Sequence, residues 1–229
     1  MNKLILTATA AIIILAASCG QNAPKRQSNA DGTEQATEQQ AAITVQKITE
    51  SDLPDDIGYQ GDLIKACRYT DKTGESLVIL TETEVLAWED EGDYISTKGL
   101  YAYRFLKVNE QWEEVWRVYD MECECINYPV VEFVKKAFSI TDLDKDGVAE
   151  IWLMYIKSCH GDVSPNNMYL RMYAGEEVYT MTGETLLVFS DEYSVGGEYV
   201  MDDKFLNKNT PSAFVDYAKD LWEKHIQGK

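Results

Sequence analysis

The chain has 229 residues, with 39 acidic against 21 basic side chains and a formal net charge of −18. Such a charge repels phosphate backbones and anionic lipid surfaces, which excludes nucleic acid as a partner and suits divalent or other cationic ligands. With 45% hydrophobic residues, the length suffices for one domain with a real core.

The amino terminus reads as an export signal: Lys3 supplies a positive charge, and an apolar run from Leu4 to Ala17 follows. That run is shorter than the ~20 residues that cross a bilayer, so a permanent span is not expected. Ala17-Ser18-Cys19 resembles a bacterial lipobox, and a loose one, because Ala16 stands where many carry a larger aliphatic residue. The resemblance implies cleavage before Cys19 and lipid attachment to its thiol, which would anchor the protein to a membrane. From Gly20 to about Ala42 the chain is rich in Gln, Asn, Ala, Thr and Glu and has no large apolar residue, the composition of a disordered tether. The expected division is a signal peptide at 1–18, a lipidated cysteine with its tether at 19–47, and one β-rich domain at 48–229.

Within that domain strand patterns dominate. Leu63–Tyr69 and Ser76–Leu86 flank a polar turn, as do Tyr101–Val108 and Trp112–Tyr119, and Met168–Tyr173 and Val178–Thr182. Ile151–Ile156 is continuously apolar, which predicts a central strand covered on both faces. Leu186–Ser190 and Glu198–Met201 are further short strands, and Tyr128–Lys136 suits a short helix or a strand. Thr210-Pro211 reads as a helix start. Phe214, Ala218, Leu221, Trp222 and His225 then recur at helical spacing. The fold expected is α+β: mostly antiparallel β-sheet with a C-terminal α-helix packed on it.

The strongest chemical motif is Asp142-Leu143-Asp144-Lys145-Asp146-Gly147-Val148-Ala149-Glu150. Oxygen ligands at alternate positions let a tight loop wrap one hard cation, and Gly147 permits the sharp turn. Asp142, Asp144, Asp146 and Glu150 would offer carboxylates, and Val148 its carbonyl oxygen, to Ca2+. An EF-hand requires a glutamate at its twelfth position, and Leu153 stands there. The flanks also read as strands, so the loop is similar to those of FG-GAP and VCBS repeats, in a single copy and without their propeller.

Cys67, Cys123, Cys125 and Cys159 remain after Cys19, an even number that permits disulfides in an exported domain. Cys123 and Cys125 would share one face of a strand, which favours each pairing outward with Cys67 or Cys159. Zinc held by Cys123, Cys125, Cys159 and His160 is the sharper alternative. The chain has no G-x-S-x-G, H-E-x-x-H or phosphate-cradling glycine loop, and no catalytic residue is assigned.

Residues 142–155 together with Cys159-His160-Gly161-Asp162-Val163-Ser164-Pro165, Met168 and residues 211–222 resemble a family of Bacteroidota lipoproteins labelled surface polysaccharide biosynthesis proteins. The resemblance implies a cell-envelope role and names no reaction. The expectation is a non-catalytic, calcium-stabilised module that engages glycan or an envelope protein. A hydrolase or transferase acting on envelope polysaccharide is the first alternative, and a protein-binding subunit of an assembly machine the second. Gly20-Gln21-Asn22 lacks an aspartate after the cysteine, which favours the outer membrane, on its periplasmic or cell-surface side.

Overall fold

The computed structural model describes residues 43–229; the expected signal peptide, Cys19 and most of the expected tether lie outside the described residues. Two six-stranded sheets, every neighbouring pair antiparallel, carry most of the chain. The first contains β1 (Thr44–Ile48), β2 (Asp62–Asp71), β3 (Gly74–Glu82), β4 (Leu86–Asp90), β5 (Asp93–Val108) and β6 (Gln111–Cys125). Its order is β1-β2-β3-β5-β4, with β6 bonded to β5. The second contains β7 (Val130–Phe133), β8 (Ser139–Thr141), β9 (Glu150–Ser158), β10 (Asn167–Ala174) and β11 (Glu177–Glu184). A small hairpin of β12 (Leu187–Ser190) and β13 (Tyr193–Val195) separates these from β14 (Tyr199–Met201), the sixth strand of the second sheet, before helix α1 (Ser212–Lys224). The α+β expectation holds.

Alternation along the strands decides how these layers stack. On β9, Ile151, Leu153 and Tyr155 face Val78, Leu80, Leu100 and Val118 of the first sheet. The intervening Trp152, Met154 and Ile156 face Phe214, Ala218, Leu221 and Trp222 of α1. The apolar run at 151–156 is therefore a strand buried on both sides. Strand β3 is used in the same way: its Leu77 and Ile79 turn outward with Tyr103 and Phe105, under Leu53, Ile57 and Tyr59 of the segment before β2. Fully burying each such side chain contributes about 1.5–3 kcal/mol.

One open reading is resolved and two others change. Of the helix and the strand open for Tyr128–Lys136 the strand forms: Val130–Phe133 is β7, paired with β9, and the Glu82 carboxylate accepts the Phe133 N–H at 2.9 Å. Residues 44–47, expected to end the tether, instead form with Ile48 the edge strand β1, and backbone bonds to β2 hold it although four of its five residues are exposed. Thr210 does not cap α1; its hydroxyl donates to the Lys204 carbonyl, and the helix begins after Pro211. The β5–β6 turn uses Asn109 and Glu110 at φ 50° and 64°, the left-handed pair that a two-residue hairpin turn requires.

Candidate metal centre

Strands β8 and β9 pair through Thr141 and Glu150, so residues 142–149 form the loop between them. The backbone folds tightly because Lys145 and Gly147 take φ values of 61° and 84°. For glycine that region is free, whereas the lysine conformation costs about 1–2 kcal/mol, which the loop's other bonds must offset. Aspartate oxygens inside the loop accept its free N–H groups. Asp144 takes that of Asp146 at 3.2 Å, Asp146 that of Val148 at 2.7 Å, and Asp142 that of Gly147 at 3.4 Å.

The result brings one carboxylate oxygen each from Asp142, Asp144 and Asp146 within 4.8 Å of one another. Asp144 and Asp146 are exposed and Asp142 is half-buried. Three like charges this close repel unless a cation or protons relieve them, and an all-oxygen donor set fits a hard divalent ion. Glu150 stands outside this triad. It is 1% exposed, and its carboxylate accepts the Thr141 hydroxyl at 2.6 Å and the Leu143 N–H at 2.9 Å. Burial pushes its pKa up, against the lowering effect of those bonds, and Asp144 and Asp142 add to the rise. Its position makes Glu150 an organiser of the loop. The Val148 N–H is engaged by Asp146, and its carbonyl oxygen accepts none of the loop's backbone bonds among the described residues.

The partner that sequence reading missed is Asp71, at the β2–β3 turn of the opposite sheet. One of its oxygens accepts the Thr73 N–H and hydroxyl at 2.7 and 2.6 Å, and the other accepts the Ala149 N–H at 2.9 Å. Lys72 adds a backbone bond to the Gly147 carbonyl at 2.8 Å. Behind them the buried Arg104 guanidinium donates to the Thr73 hydroxyl at 3.1 Å. The acidic loop is thereby fastened across the sandwich. Asp71→Ala would leave the buried Ala149 N–H without an acceptor, so urea unfolding should show a loss of about 2 kcal/mol. A loss below about 0.5 kcal/mol would show that the fastening contributes nothing.

Cys125 and Cys159 form a disulfide, with Cα atoms 5.7 Å apart, joining the end of β6 to the residue after β9. This realises half of the expected outward pairing. Cys67 and Cys123 are free. Cys123 and Cys125 do not share a face, because Glu124 adopts φ 53° and two residues of β6 sit opposite Thr97. Such a bulge rotates the strand, leaving Cys123 exposed and Cys125 buried. With Cys125 and Cys159 bonded to each other, the zinc alternative at Cys123, Cys125, Cys159 and His160 falls. Burial pushes the Cys67 thiol up to about 12. A thiol reagent at pH 8 should therefore label Cys123 promptly in the native protein, and Cys67 only as fast as the domain unfolds. Equal labelling of both would contradict this burial.

The turn Gly161-Asp162-Val163-Ser164-Pro165 is held by a Ser164 hydroxyl bond to Asp162 at 2.8 Å. It follows the far end of β9, roughly 26 Å of strand from the acidic loop, so Asp162 cannot join the triad. His160 Nδ1 lies 3.2 Å from the Asp162 carbonyl, and His225 Nδ1 lies 2.7 Å from the Lys229 carbonyl. The two histidines thus sit in separate local turns. Compared with known proteins, the chain matches no family model, no curated protein and no solved structure.

Proposed function

We propose that the chain is a lipid-anchored cell-envelope protein whose domain takes calcium at Asp142, Asp144 and Asp146 and serves as a non-catalytic module associated with surface polysaccharide. The observation that carries the metal reading is the convergence of three carboxylates within 4.8 Å, on a loop that Asp71 fastens to the other sheet. A cation there would relieve their repulsion and stiffen the joint between the sheets, a structural role. The anchor and the outer-membrane location rest on Ala17-Ser18-Cys19 and the residues after it.

The polysaccharide association rests on the resemblance of residues 142–168 and 211–222. It is supported by exposed aromatic faces, among them Tyr94, Tyr128 and the stacked pair Phe189–Tyr193, with ring centroids 5.3 Å apart. Sugar rings pack on such faces. Isothermal titration with calcium chloride tests the metal reading: one ion should bind per chain, and Asp144→Ala should abolish the heat. A flat titration of the wild-type protein, first stripped with chelator, would overturn it.

A further inference from the structure

A shallow pocket of about 210 Å³ is lined by Glu177, Tyr179, Lys204, Asn207, Asn209 and Thr210. It lies on the helix-bearing face of the second sheet, where Tyr179 packs beside Phe205 and Phe214 at ring-centroid distances of 5.2 and 5.9 Å. Those contacts fix the tyrosine ring, and Lys204 Nζ lies over it at 6.0 Å from the centroid. Lys204 and Glu177 form an ion pair at the rim. The Thr210 hydroxyl is spent on the Lys204 carbonyl, and Asn207 Oδ1 accepts the Asn209 N–H at 2.9 Å. Among the described residues, the Tyr179 hydroxyl, Asn207 Nδ2 and the Asn209 side-chain amide have no protein partner, and none of them is sealed from solvent.

We propose that this pocket seats one neutral sugar residue of a glycan, with the Asn207 and Asn209 amides and the Tyr179 hydroxyl bonding its hydroxyl groups. The inference rests on the polysaccharide reading above and assigns it a place. Amides present donors and an acceptor in fixed directions, and a phenol does both, which matches vicinal hydroxyls that themselves donate and accept. An anionic sugar is disfavoured because Glu177 already neutralises Lys204, leaving no spare cation. The volume is below the roughly 300–1,000 Å³ of pockets that enclose drug-sized ligands, which suits a single ring or chain end. Glu177 pairs with Ala174, and Ala174 with Glu150, so the pocket and the acidic loop lie at the same end of the second sheet.

Saturation-transfer NMR on the purified protein tests this, using methyl glycosides of neutral hexoses and N-acetylhexosamines, neutral oligosaccharides, and uronic acids. Transfer from a neutral sugar is expected, with a dissociation constant on the order of millimolar. Asn207→Ala and Tyr179→Phe should each weaken it about fivefold, the equivalent of one lost hydrogen bond. Melting should be unchanged in Tyr179→Phe, which keeps the ring, whereas Asn207→Ala also removes the bond to the Asn209 N–H. Transfer that survives both substitutions, or that vanishes instead in Phe189→Ala or Tyr193→Ala, would overturn the pocket and keep the polysaccharide reading. Response to uronic acids alone would overturn the neutral-sugar assignment. No transfer from any saccharide would overturn both.

Discussion

Replacing Cys125 and Cys159 with serine is expected to lower the free energy of unfolding by about 3–4 kcal/mol. The bond closes a loop across a sequence separation of 34, and the chain-entropy relation for a loop of that length gives this magnitude. For a domain of this size the melting temperature should fall by about 8–14 °C. Position makes the full amount credible. Cys125 ends β6 in the first sheet, and Cys159 follows β9 in the second, so the bond removes freedom between two layers rather than within one. Nearby polar contacts lie on the same strands: Lys157 reaches Asp120 at 3.1 Å, and the Tyr155 hydroxyl reaches Asp120 at 2.7 Å. These survive the substitution and keep the two strands facing one another across the sheets, so the variant should fold. Equilibrium denaturation under oxidising conditions checks the figure, and a loss below about 1 kcal/mol would show that the two layers are held without the bond.

The second large effect concerns calcium. An ion that binds only the folded state stabilises by RT ln(1 + [L]/Kd), about 2.7 kcal/mol at a hundredfold excess over Kd. That corresponds to a rise of about 5–10 °C in the melting temperature, reversed by chelator. The sign of the apo state offers a second test. Without a cation, Asp142, Asp144 and Asp146 repel one another, so Asp144→Asn should melt above the chelated wild type and should not respond to calcium. Superimposable melts of the wild type in calcium and in chelator would remove the metal reading.

Much of the fold was legible because its strands alternate or run apolar in a way only burial explains. Ile151–Ile156, the three hairpins and the helical stripe at Phe214, Ala218, Leu221 and Trp222 all belong to this class. Strand β1 was not legible: its side chains face solvent, and what holds it is backbone pairing with β2, which leaves no trace in side-chain pattern. The face of Cys123 was misjudged for a related reason, since a bulge at Glu124 breaks the two-residue period without any glycine to mark it. The acidic triad could be read from spacing alone, because its members are local. Asp71 could not: it reaches Ala149 across 78 positions, and in sequence it looks like an ordinary turn residue. Spacing placed Glu150 in the ligand set, and what spacing did not reveal is its burial and its bonds to Thr141 and Leu143.

Strand β9 is pinned to the opposite sheet at both of its ends, by the Asp71 bond to Ala149 just before Glu150 and by the disulfide beyond Ser158. The two pins answer to different chemistry. One forms only where thiols are oxidised, and the other tightens, on the calcium reading, only where the free ion is plentiful. In a reducing, calcium-poor compartment the disulfide is absent and the loop lacks its ion, so the two sheets are held by their apolar contact and by polar bonds such as Tyr155 and Lys157 to Asp120 and Ala149 to Asp71. A chain crossing from such a compartment into an oxidising, calcium-rich one would thus be locked after passage, in two steps and in either order. The same sequence is then more pliable in reducing, calcium-poor surroundings than in oxidising, calcium-rich ones.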